Sequence, residues 1–355
     1  MVAVFTGSGL GLYNTSYTQL GFATGGNAGI GQSRENQYVN LATGNLVLQD
    51  LDESLIARGL NAAFLRTYNS RGVVAGTGQD GWVTGFERNL TLTGTLNAAG
   101  STMTLNTGDG QSVVFTYSGT ANTYTTTGGD GAHDSLVWNA TSLVWTYTEG
   151  SSRREERYAD HANATLKGRL LWIRDLRSDG TTPAQYDIIY DASNRISQVR
   201  SVDGAAAASR DAIVFTYNTA GQLASISTRE GGTTRVQVTY GYENGDGSGR
   251  LSWVQTDLTP EITTDNTWDA TTAANNDGRR FRTSYTYVST TASDLRIASV
   301  STSDGVTVAY TYEADGAGGF RVKTVTRGNA GDGSTQTTTF VYNAGSTDVI
   351  DGAGR

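Results

Sequence analysis

The sequence predicts an all-β fold: a curved or spiralling antiparallel sheet of short hairpins, preceded by a β-rich N-terminal region. Three observations predict it. The 355 residues include 45 Gly and 18 Tyr, abundant Thr, only 2 Pro and no Cys. Thr and Tyr favour strands and Gly favours tight turns, while the Leu/Ala/Glu/Lys runs of a helical protein are missing. The second half repeats a tyrosine-marked plan whose strands alternate apolar and polar residues, the period-two signature of a sheet with one buried face.

Residues 1–40 read as an irregular Gly- and Thr-rich leader, strand-like at Val2–Phe5, with Leu10, Tyr13 and Phe22 suggesting that part of it docks on another surface. Residues 41–165 read as a β-rich region. Asn40–Leu48 is strand, Thr-Gly-Asn turn, strand, and Asn61–Ser70 is a strand running into an Asn-Ser turn. Strands are expected at 89–96, 102–105, 112–117, 122–126, 135–138 and 143–148, separated by Gly- and Asp-rich turns. Ser151–Ala164, with Arg153, Arg154, Glu155, Glu156 and Arg157, is read either as a charged helix or as a charged strand pair at a sheet edge. A boundary is placed near 165. Residues 166–355 form the repeat array, interrupted at about 259–279 by a polar insertion read as a long loop.

Repeats begin at Tyr190, Tyr217, Tyr242, Tyr287 and Tyr312, with a degenerate copy at Tyr342, at spacings of 27, 25, 45, 25 and 30. In two copies the plan is plain. Tyr190 is followed by Asp191 and Tyr217 by Asn218, each able to bond its own backbone two residues on. Asn194 and Gly221 then stand where a left-handed backbone is cheapest, and an apolar residue restarts the strand. Glu243, Val288 and Glu313 depart from Asp or Asn. Val236, Val238, Tyr240 and Tyr242 should share one face, as should Val306, Val308, Tyr310 and Tyr312. One hairpin cannot bury its face alone, so neighbouring units must pair edge to edge and curl.

The unit Tyr-Asp/Asn-x-x-Gly/Asn-x-Leu/Ile resembles the YD repeat of RHS-type proteins. The first half agrees: Phe64–Ser70, with Arg66, Tyr68 and Asn69, followed by Gly78–Trp82, with Gly81 and Trp82, resembles that family's opening segment, and Asp109–Phe115 resembles its DG-x-x-V-x-F strand. The resemblance covers roughly residues 40–355. It implies a large β-sheet spiralling into a hollow shell, which in bacteria commonly encloses a C-terminal toxin. The chain departs from the family in lacking a recognisable toxin region, an Asp-Pro-x-Gly cleavage segment and a PAAR-type loading domain. The array is also short for a closed shell, so the expectation is the N-terminal part of a longer protein, or a unit that assembles with others.

Chemical motifs are sparse. The net charge of −8 argues against a nucleic-acid partner, which would want a basic patch. Zero cysteines exclude disulfides and thiolate metal sites. No secretory signal is readable and no apolar run approaches membrane-spanning length, so export to the cell surface or beyond would use a route without a cleaved N-terminal signal. His133 and His161 read as exposed loop histidines, and Gly7-Ser8-Gly9-Leu10-Gly11 lacks the helix a dinucleotide site needs. Glu155 and Glu156 read as a wet ion-pair network rather than an acid–base pair. Acidic Gly-rich loops at 244–247, 276–278, 315–316 and 332–333 read as turns, with calcium as the alternative. Of the six tryptophans, Trp138 and Trp145 should pair across a hairpin; carbohydrate platforms are the alternative. Of 26 basic residues only Lys167 and Lys323 are lysine, a skew with no account at this level.

No catalytic, cofactor-binding or metal residue emerges. The leading expectation is a structural scaffold or shell-wall segment of an exported bacterial protein, without chemistry of its own. It would enclose or present a cargo such as a toxin, with downstream parts of the same polypeptide or other copies as partners. The alternative is an adhesive or carbohydrate-binding module that contacts a glycan or a cell surface. An enzyme, such as a hydrolase borne on the scaffold, is the weakest reading.

Overall fold

A computed structural model describes residues 3–5, 35–55, 62–71, 81–108, 112–126, 133–150, 152–175, 184–202, 211–244, 249–257, 280–329, 331 and 333–354. Among them every regular element is a strand. The insertion expected at 259–279, most of the leader and the Gly7–Gly11 string lie outside the described residues.

A first sheet holds five strands in chain order: β1 (Ala3–Phe5), β2 (Asn36–Asn40), β3 (Leu46–Leu55), β4 (Ala62–Asn69) and β5 (Trp82–Thr84). β1 runs parallel to β2 and the rest are antiparallel. Both β1 and β2 fall within the expected leader, so the leader is partly structural. The Asn40–Asn45 hairpin closes as its residues suggest. Asn40 Oδ1 accepts from the backbone of Ala42 and Thr43, and Gly44 supplies the positive φ of 66°.

The remaining strands form one long ribbon. Its first part is β6 (Asn89–Thr93), β7 (Thr102–Asn106), β8 (Ser112–Tyr117), β9 (Thr123–Thr125), β10 (Ser135–Asn139), β11 (Val144–Thr148), β12 (Arg154–Ala159) and β13 (Leu170–Asp175). The repeat array follows as β14 (Ala184–Tyr190), β15 (Ile196–Ser201), β16 (Ala212–Tyr217), β17 (Leu223–Glu230), β18 (Thr233–Tyr242), β19 (Leu251–Asp257), β20 (Arg280–Tyr287), β21 (Ile297–Thr302), β22 (Val306–Ala314), β23 (Phe320–Asn329), β24 (Thr335–Asn343) and β25 (Ser346–Ile350). Each strand pairs antiparallel with the next. A single bridge, Asn89 to Arg169, wraps β6 back against the lead into β13. Tyr124, Trp145 and Tyr158 are fully buried inside that wrap. No register joins β25 to β6 among the described residues, so the ribbon as a whole is not closed into a barrel.

Two sequence expectations are corrected. Ser151–Ala164 is not a helix: Arg154–Ala159 is strand β12, with Glu156 and Tyr158 turned inward and Glu155 and Arg157 less buried. Side chains that alternate in burial fit a pleat and not a 3.6-residue turn. The break near 165 also fails, because β12 and β13 pair across it. The change of sheet comes instead at residues 85–88, between β5 and β6.

The repeat strands hold one feature that period two did not announce. Opposite each repeat tyrosine from Tyr190 to Tyr312 the returning strand carries a bulge, and β18 carries a further one at Gln237 against β17. Tyr190 opposes Ile196 while Ile189 opposes Gln198, leaving Ser197 extra. The same step recurs at Tyr217, Tyr242, Tyr287 and Tyr312. Inward apolar residues of the return strands are therefore three apart: Ile196 and Val199, Leu251 and Val254, Ile297 and Val300, Val322 and Val325. A bulge bends its strand and adds twist, so one per repeat curls the ribbon in a fixed direction. The apolar face lines the inside and merges with the first sheet into one core from Val39 to Phe340. The other face carries cross-strand hydroxyl pairs, such as Thr216 with Ser225 and Thr311 with Thr324.

Candidate functional site

The repeat tyrosines form a ladder. Each lies at the end of its strand or within two residues of it, and its hydroxyl reaches back to donate to a main-chain carbonyl of the preceding strand. Tyr190 donates to Leu170 at 2.7 Å, Tyr217 to Ile196 at 2.7 Å and Tyr242 to Leu223 at 2.8 Å. Tyr287 donates to Leu251 at 2.8 Å, Tyr312 to Ile297 at 2.8 Å and Tyr342 to Val322 at 2.7 Å. From Ile196 to Val322 each acceptor is also the bulge residue facing the previous repeat tyrosine. Every clamp thus rests on the one before it. Burial pushes the Tyr190, Tyr217 and Tyr312 hydroxyls well above the ordinary phenol range and Tyr342 up to about 12, so each stays a donor at neutral pH.

Arginine completes the ladder and accounts for part of the Arg-over-Lys skew. The residue before the acceptor is Arg169, Arg195, Arg250, Arg296 or Arg321, and its guanidinium lies over the ring of the tyrosine that follows. The distances are 5.7 Å to Tyr190, 4.3 Å to Tyr217, 4.2 Å to Tyr287, 5.8 Å to Tyr312 and 4.2 Å to Tyr342. A planar cation stacks on a ring and still presents its edge to a carboxylate, which an ammonium does less well. The carboxylates are those of the turns: Asp191 holds Arg195 at 2.7 Å, Glu243 holds Arg250 at 2.6 Å, Asp294 holds Arg296 at 2.6 Å and Glu313 holds Arg321 at 2.8 Å. Glu243 and Glu313, departures from the repeat plan, thus perform the ion pairing that Asp191 performs. Asn218 bonds the Gln222 backbone instead, and Gly221 takes a positive φ of 84°. At Tyr242 the arginine position is occupied by Gln222.

The first sheet docks on the inner face of the array, and the expected opening-segment residues make that joint. Arg66 is buried. It forms a two-pronged pair with Asp52, at 2.8 and 3.1 Å, lies 3.4 Å from Asp50 and donates to Tyr285 at 2.9 Å. Its guanidinium sits 4.4 Å above the Trp82 ring. Tyr240 donates to Asp52 at 2.6 Å and Tyr285 to Glu35 at 2.8 Å, so both faces of the joint share the same charges. Burial pushes the Glu35 carboxyl up to about 7, against the pull of Arg66. Tyr68 donates to the Leu295 carbonyl at 2.7 Å and packs on Trp82. Gly81, at φ 82°, lies flat on the Tyr68 ring, where a Cβ would approach to 3.3 Å. Asn69 is buried and caps the backbone of Arg71.

Residues 36–115 match a family described only as Domain of unknown function (DUF6531). The matched stretch runs from β2 to β8 and contains Arg66, Tyr68, Asn69, Gly81 and Trp82. No curated protein matches the chain. Among solved structures, a porin-like protein from Bacteroides uniformis is similar at 11% identity and a TM-score of 0.24, over 88% of this chain and 94% of that one. TcdB2-TccC3 without its hypervariable C-terminal region is similar at 11% identity and a TM-score of 0.24, over 88% of this chain. TcdB2-TccC3-Cdc42 is similar at 9% identity and a TM-score of 0.20, over 86% of this chain. The chain spans 20% and 23% of the last two of those chains.

The remaining candidates fall into place as packing. Glu156 is not on a wet surface as expected: it is fully buried inside β12. Burial raises its carboxyl, but Arg88 at 2.5 Å and Arg154 at 3.3 Å outweigh that and hold it below its usual range. Glu155 does pair outside, with Arg174 at 2.7 Å. His133 is exposed as expected, whereas His161 is half-buried between Asp160 and the Trp145 indole. Trp138 and Trp145 are cross-strand partners. No group of three or more His, Asp or Glu is set to hold a metal among the described residues. The loop tip 245–248 and residues 276–278 lie outside them.

Proposed function

We propose that the chain is a wall segment of a large exported β-shell of the RHS/YD-repeat kind, enclosing or presenting a cargo such as a toxin. The observation that carries this reading is the ladder. The same clamp of tyrosine hydroxyl, carbonyl and bulge recurs from Tyr190 to Tyr342, with an arginine at five of the six steps. A unit that repeats, curls in one sense and leans on its predecessor is suited to building a wall by addition. The first sheet, pinned by Arg66 to the concave side, fits an opening element from which the wall starts.

On this reading the segment does no chemistry and needs no cofactor. Its partners are downstream parts of the same polypeptide or other copies, and it works at the cell surface or beyond. Electron microscopy of the natural full-length gene product is the test. The expected result is a hollow particle with residues 184–350 in its wall and added density inside. A gene product without further repeats, or a particle without a lumen, contradicts the proposal.

A further inference from the structure

The outer face of the ribbon carries a row of guanidinium groups that neither the tyrosine ladder nor the Arg66 joint uses. Register sets Arg157 of β12 opposite Trp172 of β13, Trp172 opposite Asp187 of β14, and Asp187 opposite Arg200 of β15. Arg200 opposes Ala212 of β16, and Ala212 opposes Arg229 of β17. The chain neighbours Glu156, Ile173, Ile188, Val199 and Ile213 are buried on the opposite face, so the row points away from the core. Arg174 stands two residues from Trp172 and shares its face. From β12 to β17 the row is about 24 Å long, at about 4.8 Å per step.

Cations outnumber anions along it. Four guanidiniums, those of Arg157, Arg174, Arg200 and Arg229, are all half-buried and accompany two carboxylates, those of Glu155 and Asp187. Glu155 is taken by Arg174 at 2.7 Å. Asp187 accepts from Gln185 at 2.8 Å and stands 3.7 Å from Arg200, beyond hydrogen-bond reach. The Arg157 side chain makes no hydrogen bond or ion pair among the described residues. Its guanidinium rests 4.6 Å over the Trp172 ring, and that of Arg174 lies 4.8 Å over the same ring. The indole holds both planes in place, which cuts the entropy cost of using them. In a chain of net charge −8, this local excess of cations is complementary to a polyanion.

The surroundings select among polyanions. A nucleic-acid duplex wants a broader basic patch than one row, and a single strand wants an aromatic platform, whereas Trp172 already carries two guanidiniums. An acidic peptide gains its backbone bonds at a free strand edge, and β12 to β17 are paired on both sides. A linear acidic glycan needs neither. Its carboxylates fit the planar guanidinium edge, and its hydroxyls suit Thr146, Gln185 and Gln198, which border the row. We propose that this row binds a linear polyuronate, a glycan with one carboxylate per sugar, lying across the strands from Arg157 toward Arg229. Glycan binding is independent of wall formation, so either can fail without the other.

The probe is an oligogalacturonate long enough to span the row, titrated into the whole chain by calorimetry. Neutral dextran and poly-glutamate of equal charge are the comparisons. Oligogalacturonate is expected to bind at concentrations where dextran gives no signal, and tighter than poly-glutamate. Arg157→Gln weakens it about tenfold, the value of one charge-assisted hydrogen bond. Arg157→Gln combined with Arg200→Gln abolishes it. Lys323→Gln combined with Arg327→Gln removes the same charge from exposed positions on β23, outside the row, and leaves binding unchanged. Oligogalacturonate binding no better than dextran overturns the proposal. So does equal weakening by the two double variants, which marks general charge attraction, and so does tighter binding of poly-glutamate, which assigns the row to an acidic protein. Should the first double variant not fold, unchanged binding in Arg157→Gln alone overturns it equally.

Discussion

The docked sheet and the ladder use arginine and tyrosine in opposite settings. Arg66 keeps 3% of its side chain exposed and faces Asp52, Asp50, Glu35 and two tyrosine hydroxyls. Arg195 and Arg321 keep 26% and 27% exposed and face one carboxylate and one ring each. In the first setting the charges are out of water, and removing one partner strands the rest. In the second, water screens each pair and the gain per rung is small. The joint is therefore an all-or-none latch made once, and the ladder is a set of modest, repeated clamps.

The largest expected break is at the latch. Arg66→Met leaves the Asp52 carboxylate buried without its cation and should cost about 3–5 kcal/mol in urea unfolding. Exchange protection of 36–69 should fall before that of 297–342. Equal loss in both regions would erase the distinction between latch and ladder. Next in size is the pH dependence of the same joint. Glu35 holds its proton up to about pH 7 in the fold, against about 4.5 unfolded. The stability of the neutral form is therefore full below pH 4.5. It is lost as pH rises through 7, by up to about 3 kcal/mol. The depressed carboxyls Asp191, Asp294 and Glu156 act the other way, stabilising above their unfolded range and failing only in acid, so the window from pH 5 to 8 isolates Glu35. Glu35→Gln should flatten the slope there; a stability that rises from pH 5 to 8 contradicts the latch. The smallest effect is at a rung. Arg195→Met should cost only about 0.5–1 kcal/mol, read as a small shift of the urea midpoint. A cost like that of Arg66 would make the rung a latch as well.

Much of this was legible in the sequence. Alternation and the Gly- and Asp-rich turns placed most of the strands within a residue or two, because the pleat and turn chemistry are local, although β6 stops three residues before the expected 96 and β3 runs seven past Leu48. The opening-segment residues Arg66, Tyr68, Gly81 and Trp82 were singled out by resemblance and do converge, but nothing local told that they meet Tyr285 and Leu295, more than 200 residues on. The bulge was visible only in hindsight, as apolar residues three apart in Ile196-Ser197-Gln198-Val199. The arginine rungs were missed although each precedes the apolar residue that restarts a strand; the signal was there as the Arg excess. Glu156 was misread because adjacent charges look solvated until a pleat sends one inward.

The central claim is that each tyrosine clamp makes a modest local contribution, coupled only to the rungs beside it, so that clamps several rungs apart act independently. Urea unfolding of Tyr217→Phe, Tyr312→Phe and the double variant tests it most directly. Each single change should cost about 1 kcal/mol, since only a hydroxyl-to-carbonyl bond is lost. The double should equal the sum within about 0.5 kcal/mol, as expected for separated sites. A double variant far from the sum, or a single change that unfolds the whole ribbon, would contradict the account.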